Sequence, residues 1–130
     1  MPFQRVFSEA PWESQVGYCR ALRVGDRVFV TGTASVAPGG GVHAPGDAYG
    51  QAARCFELIS EALAGVGASL ADVTRTRMFV TDISRWAEYG RAHAEVFGTH
   101  PPTTSMVEVR RLIDPDMLIE IEADAVVLAR

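Results

Sequence analysis

The spacing of apolar positions along this 130-residue chain changes several times, and each change marks an element. Phe3 to Phe7 reads as a short strand, and the polar stretch Ser8 to Gln15, holding Pro11 and Trp12, reads as loop. Tyr18 to Val24 and Arg27 to Thr33 flank Gly25-Asp26, a two-residue turn signal, and predict a β-hairpin. Ala34 to Gly46 carries Pro38, Gly39, Gly40, Gly41, Pro45 and Gly46, too many breakers for regular structure. From Asp47, a helix-capping residue type, Ala52, Phe56, Ile59, Leu63 and Val66 recur at spacings of four and three and draw one apolar stripe. Gly65 and Gly67 supply its stop. Val73 to Thr81 is β-branched and aromatic enough for a strand. Ser84 is read as the cap of a second helix, on which Trp86, Tyr89, His93, Val96 and Phe97 share a face. After His100-Pro101-Pro102, Thr103 to Val109 and Met117 to Leu128 predict two more strands.

This order predicts an α+β fold: a mixed sheet of about six strands with two helices packed on one face. The last strand is the most informative. Side chains alternate faces along a strand, so Met117, Ile119, Ile121, Ala123, Ala125 and Val127 form one unbroken apolar face, suited to packing under the helices. The opposite face reads Leu118, Glu120, Glu122, Asp124, Val126 and Leu128. Three carboxylates in a row are the ordinary mark of a solvated face. Two helices cover only one side of a sheet, however, and the apolar residues on the other side call for a second copy of the molecule. A carboxylate in a cleft between copies is desolvated, which drives its pKa upward and suits it to proton transfer near neutral pH. The pattern alone does not single out which of the three enters a cleft.

Composition narrows the class. A hydrophobic content of 48% and a charged content of 22% describe a globular chain, expected to form a single domain over residues 1–130. No apolar run reaches the ~18–20 residues of a membrane span, and the N-terminal stretch lacks the layout of a secretory signal. The two cysteines, Cys19 and Cys55, read as reduced thiols, so a cytoplasmic location is expected. Twelve basic against sixteen acidic residues give a net charge of −4, which weighs against nucleic acid as a partner. His43 and His100 have no metal-ligand spacing to the cysteines, and no metal site is expected. His93 falls on the apolar stripe of the second helix and reads as a packed histidine.

Four segments are familiar when taken in register: Gly17-Tyr18 with Gly25 seven residues after the tyrosine, Val30-Thr31-Gly32, Pro102-Thr103-Thr104-Ser105-Met106-Val107-Glu108-Val109, and Ile119-Glu120-Ile121-Glu122-Ala123. Met78-Phe79-Val80-Thr81-Asp82 fits the same pattern. The chain resembles the RidA/YjgF family over nearly its whole length. The resemblance implies a chorismate-mutase-like fold, a homotrimer with three intersubunit clefts, and no cofactor. Deaminating members hydrolyse reactive enamines and imines to 2-keto acids and ammonia. Carried over by position, the glutamate that handles water or a proton falls on Glu120, the cleft tyrosine on Tyr18 and the small hydroxyl on Thr31. Thr104 and the adjacent Ser105 complete the expected small-molecule binding residues.

The resemblance is broken at one chemically severe point. Deaminating members grip the substrate carboxylate with an arginine where this chain has Thr104, and Met106 and Gly90 replace a cysteine and an asparagine. A guanidinium offers a full charge and two parallel donors; threonine offers one neutral hydroxyl. Loss of a charge-assisted hydrogen bond, about 1.5–3 kcal/mol, weakens the grip roughly 10- to 150-fold. Glu120 is therefore expected to protonate more easily than in a deaminating member, on a ligand other than the usual 2-imino acids. Two alternatives stand beside this reading. One is a true 2-imino acid deaminase using a displaced arginine, with Arg20, Arg75 and Arg77 the candidates. The other is a non-catalytic metabolite-binding trimer.

Overall fold

The structure, a computed structural model, describes residues 2–8 and 10–129. Its elements are β1 (Phe3–Val6), α1 (Pro11–Val16), β2 (Ala21–Val24), β3 (Arg27–Ala34), α2 (Ala48–Gly65), β4 (Val73–Val80), α3 (Trp86–Phe97), β5 (Thr103–Glu108) and β6 (Ile119–Val126). The strands form one six-stranded sheet in the order β1-β2-β3-β6-β4-β5. Every neighbouring pair is antiparallel except β4 and β5, which run parallel and are joined through α3. The expected α+β architecture is thus present, with β6 at the centre of the sheet.

The face of β6 that alternation assigned to the core is buried: Ile119, Ile121, Ala123 and Ala125 are nearly inaccessible, packed with Ala52, Phe56, Ile59 and Leu63 of α2 and Tyr89, Ala92 and Phe97 of α3, while Met117 is buried just before the strand and Val127 is partly buried just after it. Burial of each Ile, Leu, Phe or Met among them contributes about 1.5–3 kcal/mol. Asp47 caps α2 as expected, its carboxylate accepting from the Gly50 amide.

Three local expectations are corrected. The stretch Ser8 to Gln15 is not loop throughout, because Pro11 opens the short helix α1, where its missing N–H costs nothing. Ser84 is not the cap of α3; Asp82 accepts from the Ser84 amide and caps a 3-10 turn (Ile83–Arg85), and α3 begins at Trp86. Trp86 itself is exposed and lies along Gly90, so the buried stripe of α3 starts a turn later, at Tyr89.

Where β3 meets β6 the register slips between Val30 and Thr33. The slip is a β-bulge at Thr31-Gly32, and bulges re-aim side chains beside functional sites. It separates Val30, which faces the core opposite Ala123, from Ala34, which pairs with Glu120.

Candidate functional site around Glu120

Glu120 leaves β6 on the side opposite Ile119 and Ile121 and leans over the bulge. Gly32 makes room for it: a Cβ at that position would come 2.8 Å from Glu120 Oε2. Burial pushes the Glu120 carboxyl above the usual carboxylate range, Glu122 two residues along adds to the rise, and Arg20 opposes it. Glu122 and Asp124, the other two carboxylates of the row, pair with Arg77 at 3.7 and 3.2 Å. Among the described residues Glu120 has no such ion pair, and its charge is penalised by its surroundings.

The carboxyl opens into a cavity of about 1000 Å3 whose lining includes Tyr18, Arg20, Gly32, Trp12, Arg54 and Glu120. Tyr18 is placed by the end of α1. Gly17 adopts a left-handed conformation (φ 90°), and the Gly17 and Tyr18 amides both donate to the Glu13 carbonyl, at 2.9 and 3.0 Å. The Arg20 guanidinium lies 5.7 Å from the centre of the Tyr18 ring.

Arg20 is fixed on three sides. Its Nε and Nη2 donate to Glu13 Oε2 at 3.2 and 3.0 Å, and Nη1 donates to the Gly32 carbonyl at 3.0 Å. Glu13 is 4% exposed, which alone would raise its pKa. The hydroxyl and amide of Ser8 and the charge of Arg20 outweigh that burial, and the carboxyl ends below its ordinary value. This buried ion pair was not visible as such in the sequence. Its signal was a Glu-x6-Arg spacing bridging a segment read as loop. Arg54, the other cavity arginine, donates to the Val36 carbonyl at 2.9 Å and to Glu57 at 3.0 Å.

The remaining sequence-predicted residues lie elsewhere in the protomer. Thr31 lines a second, open cavity of about 780 Å3 together with Arg77, Glu122 and Asp124; Tyr18 borders both cavities. Ser105 pairs in register with Arg77 and shares its face of the sheet. Thr104 points the other way, toward α3, and bonds Thr76. Within one protomer Glu120 and Thr104 therefore stand on opposite faces of the sheet, two strands apart.

Of the three arginines considered as substitutes, Arg20 is held by Glu13 and Arg77 by Asp124 and Glu122, while Arg75 lies opposite Asp124 in the β4–β6 register. Cys55 is fully buried and its thiol is pushed far up by burial, which leaves it inert as a nucleophile. Among the described residues, no three of His, Cys, Asp and Glu converge as metal ligands, and no helix is long and apolar enough to cross a membrane.

A six-stranded mixed sheet with two main helices on one face is an architecture shared with known proteins. Residues 8–127 match the family model described as "Endoribonuclease L-PSP", and the chain belongs to that family, the one that includes the RidA/YjgF proteins. The crystal structure of Rv2704 from Mycobacterium tuberculosis, described as a member of the YjgF/YER057c/UK114 family, superposes with a TM-score of 0.89 at 48% identity, covering 97% of this chain and 100% of that one. The YjgF gene product of Escherichia coli gives a TM-score of 0.78 at 28% identity, over 94% of this chain and 92% of that one. The Escherichia coli protein named "Putative reactive intermediate deaminase TdcF" is 32% identical over 112 residues, 84% of this chain and 85% of its own length.

Proposed function

We propose that this protein is a homotrimeric, cytoplasmic member of the RidA-like group that binds a small metabolite in clefts between protomers and hydrolyses it without a cofactor. Glu120 passes a proton to or from water, on an enamine, imine or related compound other than a simple 2-imino acid. The observation that carries this reading is the Glu120 carboxyl: desolvated over Gly32 and facing a cavity with Tyr18, its pKa is raised in the direction that favours general acid–base work. Water is the nucleophile the composition favours. All twelve basic residues are arginine, so no lysine is present to form a Schiff base with a carbonyl or imine.

The opposed directions of Glu120 and Thr104 support a cleft built from two chains, one giving β3 and β6 and its neighbour giving β5. Exposed apolar side chains on the helix-free face, Phe29 and Val107 among them, supply the surface to be covered. Nucleic acid is a poorer fit, because Arg20 and Arg77 are already committed to carboxylates of their own chain.

The test is a coupled assay for ammonia release from imines generated in situ by an amino-acid oxidase, using amino acids and amino-acid amides as precursors. Turnover of the amide-derived imines, lost in Glu120→Gln, is expected. Robust turnover of 2-aminoacrylate, abolished by Glu120→Ala, would overturn the specificity. Tight metabolite binding without product would replace the enzyme reading by the binding-protein one.

A further inference from the structure

A chain of three side chains runs from α3 to the exposed edge of the sheet. Thr76 on β4 is wholly buried, with His93 Nε2 of α3 2.8 Å from its hydroxyl oxygen and the Thr104 hydroxyl of β5 2.7 Å away. His93 is itself held by rings: Phe97 lies at 4.7 Å and Phe56 edge-on at 5.7 Å. Thr104, at the outer end, is exposed.

Counting protons ties the direction of this chain to the tautomer of His93. A threonine hydroxyl has one proton to donate and two lone pairs to accept with. The Thr76 and Thr104 hydroxyls are 2.7 Å apart; with the Thr76 proton given to Thr104, the contact with His93 needs a proton on Nε2. Burial lowers the pKa of His93 and favours the neutral imidazole, and in its Nε2–H tautomer the one N–H points at Thr76. Thr104 then receives a hydrogen bond from inside and keeps its own O–H for the outside. Each link polarises the next, so the outermost hydroxyl becomes a better donor.

We infer that His93 is a positioning residue which, through Thr76, fixes Thr104 as an outward hydrogen-bond donor, so that the cleft takes an uncharged acyl oxygen, an amide or ester carbonyl, at that point. This rests on the proposed placing of Thr104 in a cleft. One neutral donor satisfies a carbonyl, whereas a carboxylate desolvated there would lack a counter-charge.

Two measurements on the full-length protein test it. In 15N NMR of the labelled imidazoles, His93 is expected as the neutral Nε2–H tautomer, converting to a mixture in Thr76→Val and unchanged in Thr76→Ser. An Nδ1–H tautomer would overturn the inference, because a bare Nε2 would draw the Thr76 proton away from Thr104. In titrations with pyruvamide and pyruvate as isosteric probes, the amide is expected to bind roughly tenfold tighter, on the scale of one hydrogen bond to a neutral partner. The preference should vanish in Thr76→Val and Thr104→Val and persist in His93→Gln, whose amide N–H restores the donor. A preference for pyruvate, no binding of either probe, or a preference indifferent to Thr76 would each overturn the ligand assignment. If Glu120→Gln leaves turnover intact while the amide preference still follows Thr76, the acid–base reading fails and this inference stands.

Discussion

The Glu120 carboxylate rests against the Cα of Gly32, so closely that a methyl group added there would meet Oε2 at 2.8 Å. Gly32 is needed for this contact and not for a special backbone angle, since its φ is not in the left-handed region. The obstacle is the free end of a flexible side chain, so Gly32→Ala can fold by moving Glu120 aside. The expected outcome is a folded protein in which the Glu120 titration, followed by carboxyl 13C NMR, returns toward the ordinary range. Imine hydrolysis should fall by roughly 10²-fold or more, the usual scale for losing a general acid–base. A full-activity Gly32→Ala would mean that Glu120 does not work from this position.

Glu120 also makes the fold weaker at neutral pH than it need be. Its folded pKa is raised above the unfolded value, chiefly by burial and then by Glu122, so the native state binds the proton more tightly than the unfolded one. Stability is therefore greatest below the unfolded pKa and is lost as pH rises through the folded pKa. Glu120→Gln removes that loss. Thermal unfolding should show a higher Tm for the variant at pH 7, about 3–5 °C for each kcal/mol recovered, and no gain near pH 4. Equal Tm differences at both pH values would show that the carboxyl is not desolvated.

The difference between what was readable in the chain and what was not follows the range of the interactions. Alternation along β6 placed Ile119 and Ile121 inward and Glu120 outward, because a strand's period is a local property. Asp47 as the cap of α2 was equally local. How Glu120, Glu122 and Asp124 are partnered depends on residues far along the chain: Gly32 receives Glu120, while Arg77 pairs with the other two. The Glu13–Arg20 pair was hidden for the same reason, and α1 went unread because a six-residue helix that opens with proline carries too short a stripe to show a period. The chain from His93 to Thr104 joins residues 17 and 28 positions apart, brought together by the packing of α3 against β4 and by the parallel pairing of β4 and β5.

Glu13 holds Arg20 beside the cavity, and both side chains are mostly buried, at 4% and 12% exposure. Glu13→Ala strands a guanidinium without its partner, which costs about 3 kcal/mol in buried pairs. The Glu13 pKa is depressed, so the contribution of this carboxylate is present above its unfolded pKa and is lost as pH falls through the folded one. The stability difference between wild type and Glu13→Ala, measured by urea unfolding, should be full at pH 7 and shrink below pH 4. A difference that does not change with pH would assign the effect to packing alone.

The proposed trimer is tested most directly at Phe29, which is 47% exposed on the helix-free face and pairs in register with Asp124. Phe29→Asp places a second carboxylate opposite the first and removes an aromatic contact surface. Sedimentation of the wild type is expected to give a trimer, and Phe29→Asp a smaller species with a lower Tm. A wild-type monomer at micromolar concentration would remove the two-chain cleft, and with it the meeting of Glu120 and Thr104.

Thr104 is exposed on an edge strand, so a longer side chain can be accommodated there without overpacking the core. Thr104→Arg supplies the charge and the paired donors that threonine lacks, and a charge-assisted hydrogen bond contributes about 1.5–3 kcal/mol. Pyruvate binding should therefore strengthen roughly 10- to 150-fold in the variant, and its preference over pyruvamide should reverse. In the proposed two-chain cleft the same guanidinium would face Glu120 and hold its pKa down, so the pH at which Glu120 titrates should fall in Thr104→Arg relative to wild type. Both changes must appear together. Tighter pyruvate binding without a shift at Glu120 would place the two residues in different sites, and neither change would show that position 104 does not reach the ligand.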